Sequence, residues 1–380
     1  MYYGKTFLGI LTIAALASAA WWSVELARAD VYFHGQTQES IARAIEIAPR
    51  NTTYLATAAL QNEYAGQDSR EQWERMARLN PRLAVPRIRL GLAAELSGGA
   101  TEAERWLLEA AAVDRQYETR WTLANFYFRQ DRDAFWTWMQ AALEISYGDR
   151  KPAFDLCWRK SSSATEILER AIPRRAEVAA AYVWYLLGER HIDSVAPAAL
   201  LLANVDAAVG RDPLLAAVDA LLDAGRAREA AEVWHAAGYV ARSGILNPHF
   251  EEPRTGHGFD WRFARQDGVT HLSLDAPAGH RVRLSGAQPE SCELLRQVVG
   301  GLRPGTPYRL RWQHRSDGLP AVSGIEWRIA GRSAALASAE LTFTAPAESA
   351  VLELHYQRPR GEVRAEGSVD LLEVAMEADR

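Results

Sequence analysis

Lysine is nearly missing from this 380-residue chain: among 43 basic residues only Lys5, Lys151 and Lys160 are lysines. The skew toward arginine is the mark of a GC-rich, bacterial coding sequence. Cysteine is scarcer still, with Cys157 and Cys292 alone. Two lone thiols in what read as different modules make neither a disulfide framework nor a metal cage, and are better read as small buried hydrophobes. Catalytic signatures are also lacking: there is no His-Glu-x-x-His, no Cys-x-x-Cys, no Gly-x-Ser-x-Gly elbow and no phosphate-cradling glycine loop. A formal net charge of -5 leaves no electrostatic footprint for nucleic acid or an anionic membrane surface. Of the nine histidines, His249, His257, His271 and His280 gather in one region but lack metal-ligand spacing.

What is present begins at the amino terminus. Lys5 precedes an uncharged run from Thr6 to Trp22 rich in Leu, Ile and Ala, and Glu25 is the first charge after it. The run sits near the lower length limit for a membrane span and also has the character of a signal-peptide core. Ala17-Ser18-Ala19 and Ala27-Arg28-Ala29 are small-residue cleavage patterns, whereas Trp21-Trp22 suits an aromatic anchor at a bilayer interface. An uncleaved anchor is the favoured expectation, with the bulk of the chain in the periplasm and the span in a bacterial inner membrane; secretion after cleavage is the alternative.

Beyond it lies a repeat. Pro49, Pro81, Asp114 and Tyr147 are 32, 33 and 33 residues apart, and eight residues before each stands a large apolar side chain: Ile41, Trp73, Trp106, Met139. Gln38 to Ala48 keeps its apolar residues at helical spacing, and Asn80-Pro81 stops one helix. Ser97-Gly98-Gly99 and Gln130-Asp131-Arg132 read as hairpin turns, Leu90-Gly91 as a close helix approach, and Trp73, Trp106, Trp136, Trp138 and Trp234 as core residues. A period near 34 belongs to helix-pair arrays. With Leu90-Gly91, with Trp121, Leu123, Ala124 and Tyr127, and with Glu229 to Trp234, residues 35–240 resemble the tetratricopeptide (TPR) family, most weakly over 151–213. The resemblance implies a right-handed superhelix holding an extended peptide or protein surface in its groove. Gly188 and Gly225 are expected to be equivalent helix ends.

At Ser243-Gly244 helical periodicity gives way to short alternating runs, about eight strands' worth. Tyr308, Leu310, Trp312 and His314 share one strand face and Arg309, Arg311, Gln313 and Arg315 the other. Asn247-Pro-His-Phe250-Glu251, Gly258-Phe-Asp-Trp261, Leu302-x-Pro304-Gly305-Thr306-x-Tyr308-x-Leu310 and Val369-Asp370-Leu-Leu-Glu-Val374 resemble the carbohydrate-binding jelly rolls that accompany bacterial glycoside hydrolases. That resemblance implies a structural calcium held by Glu251 and Asp370 near the paired first and last strands, against which stands a salt-bridged or solvated pair. It also raises sugar stacking by Trp261, Trp312, Trp327 and Tyr356, although three of these belong to alternating faces that read as sandwich interior. The charged face carrying Arg309, Arg311, Glu326 and Arg328 is a solvated surface or a dock for the helices or an acidic polysaccharide.

The fold expected is therefore multi-domain α + β: an N-terminal hydrophobic helix (1–29), TPR-like helical repeats (30–150), a more divergent helical-repeat segment (151–243) and a jelly-roll β-sandwich (244–380). The expected function is a non-catalytic, exported, membrane-anchored scaffold for a protein partner in the bacterial envelope, in surface polysaccharide assembly or export. A carbohydrate-binding protein acting through the jelly roll is the alternative. No cofactor beyond the calcium, and no nucleic acid, is expected.

Overall fold

In the computed structural model the described residues are 2–240, 244–275 and 277–379, with side chains from residue 11 onward. The expected anchor therefore lies partly outside the described side chains, over residues 6–10. Among the described residues no helix is long and apolar enough to cross a membrane. Two compact units divide the chain, Met1–Gly148 and Asp149–Arg380, so the second helical segment goes with the sheets.

The first unit is four helical hairpins: α1 (Tyr2–His34) with α2 (Gln38–Ile47), α3 (Thr52–Tyr64) with α4 (Arg70–Leu79), α5 (Ala84–Leu96) with α6 (Ala100–Val113), and α7 (Tyr117–Arg129) with α8 (Ala134–Ile145). Each pair packs internally, and each second helix packs on the first helix of the next pair. The beat of the sequence marks where α2, α4, α6 and α8 end, at Ala48, Asn80, Asp114 and Ser146.

Each first helix reverses through one residue in the left-handed region: Gln36, Gly66, Gly98 and Asp131. In the last three, the left-handed residue donates to a carbonyl three back and its successor to one five back, as in Gly98 to Glu95 and Gly99 to Ala94. Seven residues before the turn stands a small side chain: Ala29, Ala59, Gly91 and Ala124. The three alanines are fully buried. At Gly91 an added Cβ would meet Leu107 Cγ at 2.7 Å, so α5 and α6 touch almost backbone to side-chain root. Ile41, Trp73 and Met139 are buried as expected, whereas Trp106 is half-buried against the preceding hairpin and leaves Leu107 in the α6 core.

The second unit opens with α9 (Lys151–Lys160), α10 (Ala164–Arg170), α11 (Ala176–Gly188), α12 (Val195–Asp206), α13 (Arg211–Asp223) and α14 (Ala227–Ala236), again in pairs. Here one expectation is corrected. Arg190, not Gly188, is the counterpart of Gly225: both adopt positive φ and both close the same pair of reversed hydrogen bonds, while Gly188 is the last residue of α11.

Ten strands follow: β1 (Arg262–Phe263), β2 (Val269–Asp275), β3 (Ala278–Ser285), β4 (Ser291–Gly300), β5 (Pro307–Asp317), β6 (Ile325–Ile329), β7 (Arg332–Ala335), β8 (Glu340–Thr344), β9 (Ser349–Gln357) and β10 (Glu366–Ala378). They form two antiparallel sheets ordered β1-β4-β9-β6-β7 and β2-β3-β10-β5-β8. From β3 to β10 successive strands shuttle between sheets in the jelly-roll order, except for the β6–β7 hairpin within one sheet, with β1 and β2 added at the edges. One core joins both inner faces, including Leu284, Leu310, Val369, Leu295, Trp327 and Leu354. The fold is thus a TPR-like helical array and an antiparallel jelly roll.

Gly91→Val should lower the unfolding free energy by about 1–3 kcal/mol, because overpacking against Leu107 outweighs the smaller propensity gain of leaving glycine. Urea unfolding of the purified chain checks this; an unchanged midpoint would show that the hairpin has room to spare.

Candidate interaction surfaces

Counting back from the left-handed turns locates the side chains that the hairpins leave uncovered. Residues six and ten before each turn flank the packed small residue, and they are Ala56 and Leu60 on α3, Ile88 and Leu92 on α5, and Trp121 and Asn125 on α7. All six are half-buried, and Trp121 stacks on Tyr117 at 6.0 Å. The charged residues beside this row are already engaged across hairpins. Arg129 grips Glu95 with two bonds of 2.8 and 2.7 Å, Arg89 reaches Glu63 at 3.5 Å, and Trp73 Nε1 donates to Glu63 at 2.7 Å. Near the last turn, Glu104 accepts from Arg132 and from Tyr127 Oη. Those bonds, Arg132 first, hold its carboxyl below the usual range, while burial and then Glu104 push the Tyr127 hydroxyl up to about 12. What remains open is a row of Ala56, Leu60, Ile88, Leu92 and Trp121, ended by the polar Asn125, beside charges paired at Glu63, Glu95 and Glu104.

On the sandwich, burial overturns the sugar-stacking expectation. Trp261, Trp312, Trp327 and Tyr356 are 0–3% exposed. Trp261 and Trp312 each lie 6.1 Å from Trp327; the alternation of the strands points Trp312, Trp327 and Tyr356 inward, and Trp261, just before β1, joins the same core. Three of their polar tips are bound internally: Trp261 Nε1 donates to the Asn247 carbonyl, Trp312 Nε1 to the Leu336 carbonyl, and Tyr356 Oη accepts from Ala365 N. No ring face is left for a sugar. The proposed calcium pair fares differently. Asp370, on β10, holds Arg281 through two bonds of 2.6 and 2.8 Å, while Glu251 is an exposed loop residue lining a cleft of ≈ 400 Å³ with Trp234, Tyr239 and Asp260. Among the described residues no group of three or more His, Cys, Asp or Glu side chains is arranged to hold a metal ion.

The charged face expected of Arg309, Arg311, Glu326 and Arg328 is not one surface, because β5 carries the first two in one sheet and β6 the others in the second; each arginine is nonetheless paired. Arg309 binds Asp379, Arg311 binds Glu377 and Arg328 binds Glu326, at 2.8, 3.0 and 2.6 Å. These arginines offer an acidic polysaccharide no free basic strip.

Sequence reasoning missed the place where the sandwich meets its own helices. Asp219, on α13, accepts from Gly258 N at 2.7 Å, from Arg262 Nη2, and contacts His257 Nδ1 at 2.6 Å. Gly258, at φ +60°, lies so close that a Cβ would meet the Trp234 ring at 2.5 Å and Val218 at 3.0 Å. Phe259 packs edge-on to Trp234. The 255–262 loop therefore caps the α13–α14 hairpin. Gly256-His-Gly258 was the available signal, since both glycines take positive φ; Asp219 gave none, being one acid on an amphipathic helix.

Two of the gathered histidines also meet. His271 Nε2 lies 3.1 Å from the Ala264 carbonyl and so carries the proton, leaving Nδ1 to accept from His280 Nε2 at 3.0 Å. Phe263 stacks on His280 at 3.8 Å, and the Arg254 guanidinium lies over the Phe263 ring at 4.0 Å. Burial, then His271 and Arg254, push His280 down to about 3, and burial also lowers His271.

No protein-family model matches this chain, and no curated protein matches it. Solved structures similar to its helical part include YrrB, a TPR protein with an unusual peptide-binding site, at 13% identity over 53% of this chain and 92% of that one, TM-score 0.27. PilW, a type IV pilus biogenesis factor, is similar at 14% identity, 56% and 90% coverage and TM-score 0.25. PilF of Pseudomonas aeruginosa gives 16%, 58% and 89%, and 0.25. The architecture rests on the helix pairing above; these likenesses assign no partner.

Asp219→Ala strands the mostly buried Arg262 guanidinium and should cost about 2 kcal/mol, less than a fully buried pair because Asp219 is partly exposed. Asp219→Asn, which keeps an acceptor for Gly258 N, should cost less in the same denaturation assay. Equal losses would show that the charge is immaterial. The imidazole pair sets a pH dependence of defined sign. Its folded pKa lies below the unfolded value of 6.5, so the unfolded chain takes up the proton first. This contribution is complete above pH 6.5 and is lost as pH falls toward 3. His280→Phe should flatten the stability slope between pH 6.5 and 5; an unaltered slope would contradict a neutral buried pair.

Proposed function

We propose that this chain is a non-catalytic scaffold of the bacterial envelope, anchored in the inner membrane through residues 6–22 with its bulk in the periplasm, whose hairpins hold an extended apolar segment of a protein partner. The observation that carries the reading is the row Leu60, Ile88, Leu92 and Trp121, half-exposed and flanked by charges already paired between hairpins. A groove that selected acidic chain ends would need free cations along this row, and the row has none of its own. An apolar segment instead gains from burying these side chains, at roughly 25 cal/mol per Å2 removed from water. The sandwich, with Trp261, Trp312, Trp327 and Tyr356 inward and Arg309, Arg311 and Arg328 paired, acts in this reading as a cap and spacer. The anchor is supported by the exposed apolar side chains Leu11, Ile13, Leu16, Trp21 and Trp22 on α1.

Leu92→Asp in the full detergent-solubilised chain should weaken binding to apolar peptides on an array by about tenfold or more, some 1.4 kcal/mol, with little change in unfolding midpoint. Unchanged binding, or selection of acidic peptides, would contradict the groove reading. Alkaline carbonate extraction of membranes checks the anchor: the chain should stay in the pellet, and its release would refute membrane insertion.

A further inference from the structure

The outer face of the β1-β4-β9-β6-β7 sheet carries three side chains joined by hydrogen bonds. Ser291 opens β4, and Glu353 and His355 lie two residues apart on β9. Their neighbours Cys292, Leu352, Leu354 and Tyr356 point into the core, so the pleat puts these three on the opposite face. Glu353 Oε1 binds His355 Nδ1, and Ser291 Oγ lies 2.9 Å from His355 Nε2. A carboxylate only accepts, so Nδ1 carries the ring proton and Nε2 accepts from the serine hydroxyl. His355 is 9% exposed, whereas Ser291 is open to solvent.

The other acids facing this imidazole are answered elsewhere. Glu293 on β4 and Glu326 on β6 stand directly across from His355. Arg296 meets Glu293 at 3.8 Å, and Arg328 meets Glu326 at 2.6 Å. Glu353 has no arginine partner among the described residues, and its bond is to the ring. A serine, a base within hydrogen-bond reach and an acid that orients the base are together what activates a hydroxyl as a nucleophile.

Space for a reactant lies alongside. A cleft of ≈ 650 Å³ is lined by Val322, Glu326, Ala335, Gln357 and Pro359, among others. Gln357 is the cross-strand neighbour of Ser291, and Glu326 that of His355, so both belong to the same sheet face as the serine. Gln357 Nε2 makes one long bond, 3.4 Å to the Glu290 carbonyl. Its second hydrogen is left for an oxygen that becomes negative beside Ser291.

We propose that Ser291 is an acyl-acceptor site whose donor is a small carboxylic ester. Oγ adds to the ester carbonyl carbon as His355 Nε2 takes the hydroxyl proton. The bond from that carbon to the alcohol oxygen then breaks, and His355 passes the proton to the departing oxygen. The products are an O-acyl serine and one alcohol, and no other reactant is consumed. This is a modification of the chain itself, on the sandwich, and it stands apart from the groove and anchor readings.

Incubating the full detergent-solubilised chain with p-nitrophenyl acetate tests it, reading both p-nitrophenolate release and the acetylated peptide by mass spectrometry. One equivalent should be released per chain, with the acetyl group on Ser291. Ser291→Ala, at an exposed position, should remove that equivalent. His355→Gln should slow acetylation on the order of a hundredfold, the usual worth of a general base. Glu353 acts through the ring, so Glu353→Gln should lower the maximal rate about tenfold or more and leave the half-saturating ester concentration unchanged. Loosening of the strand alone would not give that split. Acetyl groups scattered over other side chains, equal rates in the unaltered chain and His355→Gln, or release continuing past one equivalent would overturn the proposal. The position of the acetyl group in the unaltered chain decides the matter even where a variant fails to fold.

Discussion

The close approach of paired helices is the constraint on which the array depends. Each first helix brings a small residue, Ala29, Ala59, Gly91 or Ala124, against its partner, and a left-handed residue seven positions later turns the chain back. The distance between these two features fixes which side chains face the partner helix, which face the previous hairpin and which are left over. Leu60, Ile88, Leu92 and Trp121 are left over. Their partial exposure follows from register rather than from any local peculiarity.

Electrostatics then gives that row its character. Glu63, Glu95 and Glu104 each bind an arginine from another hairpin or turn. Exposed pairs of this kind contribute little stability singly. Their larger effect is to withdraw charge from the row, which leaves its open side apolar apart from Asn125. In the second unit a comparable economy applies: Asp219 gathers three contacts from one loop, and the sandwich covers the end of the α13–α14 hairpin, where a solenoid needs a cap.

Much of this was legible in the sequence. The beat of Pro49, Pro81, Asp114 and Tyr147 marks the ends of second helices because such ends recur once per helix pair. Leu90-Gly91 announced a contact that the Leu107 distance bears out. Alternation in the last module placed Trp312 and Trp327 on an inner face, and the strand-entry motifs matched a jelly roll. Other features had no sequence signal. Arg190 could not be told from its neighbours as a left-handed residue, since it is neither Gly nor Asn. Glycan stacking by Trp261 and Tyr356 could be weighed only once burial was known. Asp219 and its loop lie some forty residues apart, a pairing that periodicity does not carry.

The central claim is that the first helices of the hairpins, not the second, present the partner-binding surface. A photo-crosslinking amino acid placed singly at Ile88, Leu92 and Trp121, and at the exposed Arg78 and Arg105 on second helices, tests it in living cells. The account predicts one shared protein adduct from the first three positions and none from the other two. Adducts confined to Arg78 and Arg105, or spread evenly over all five positions, would contradict it.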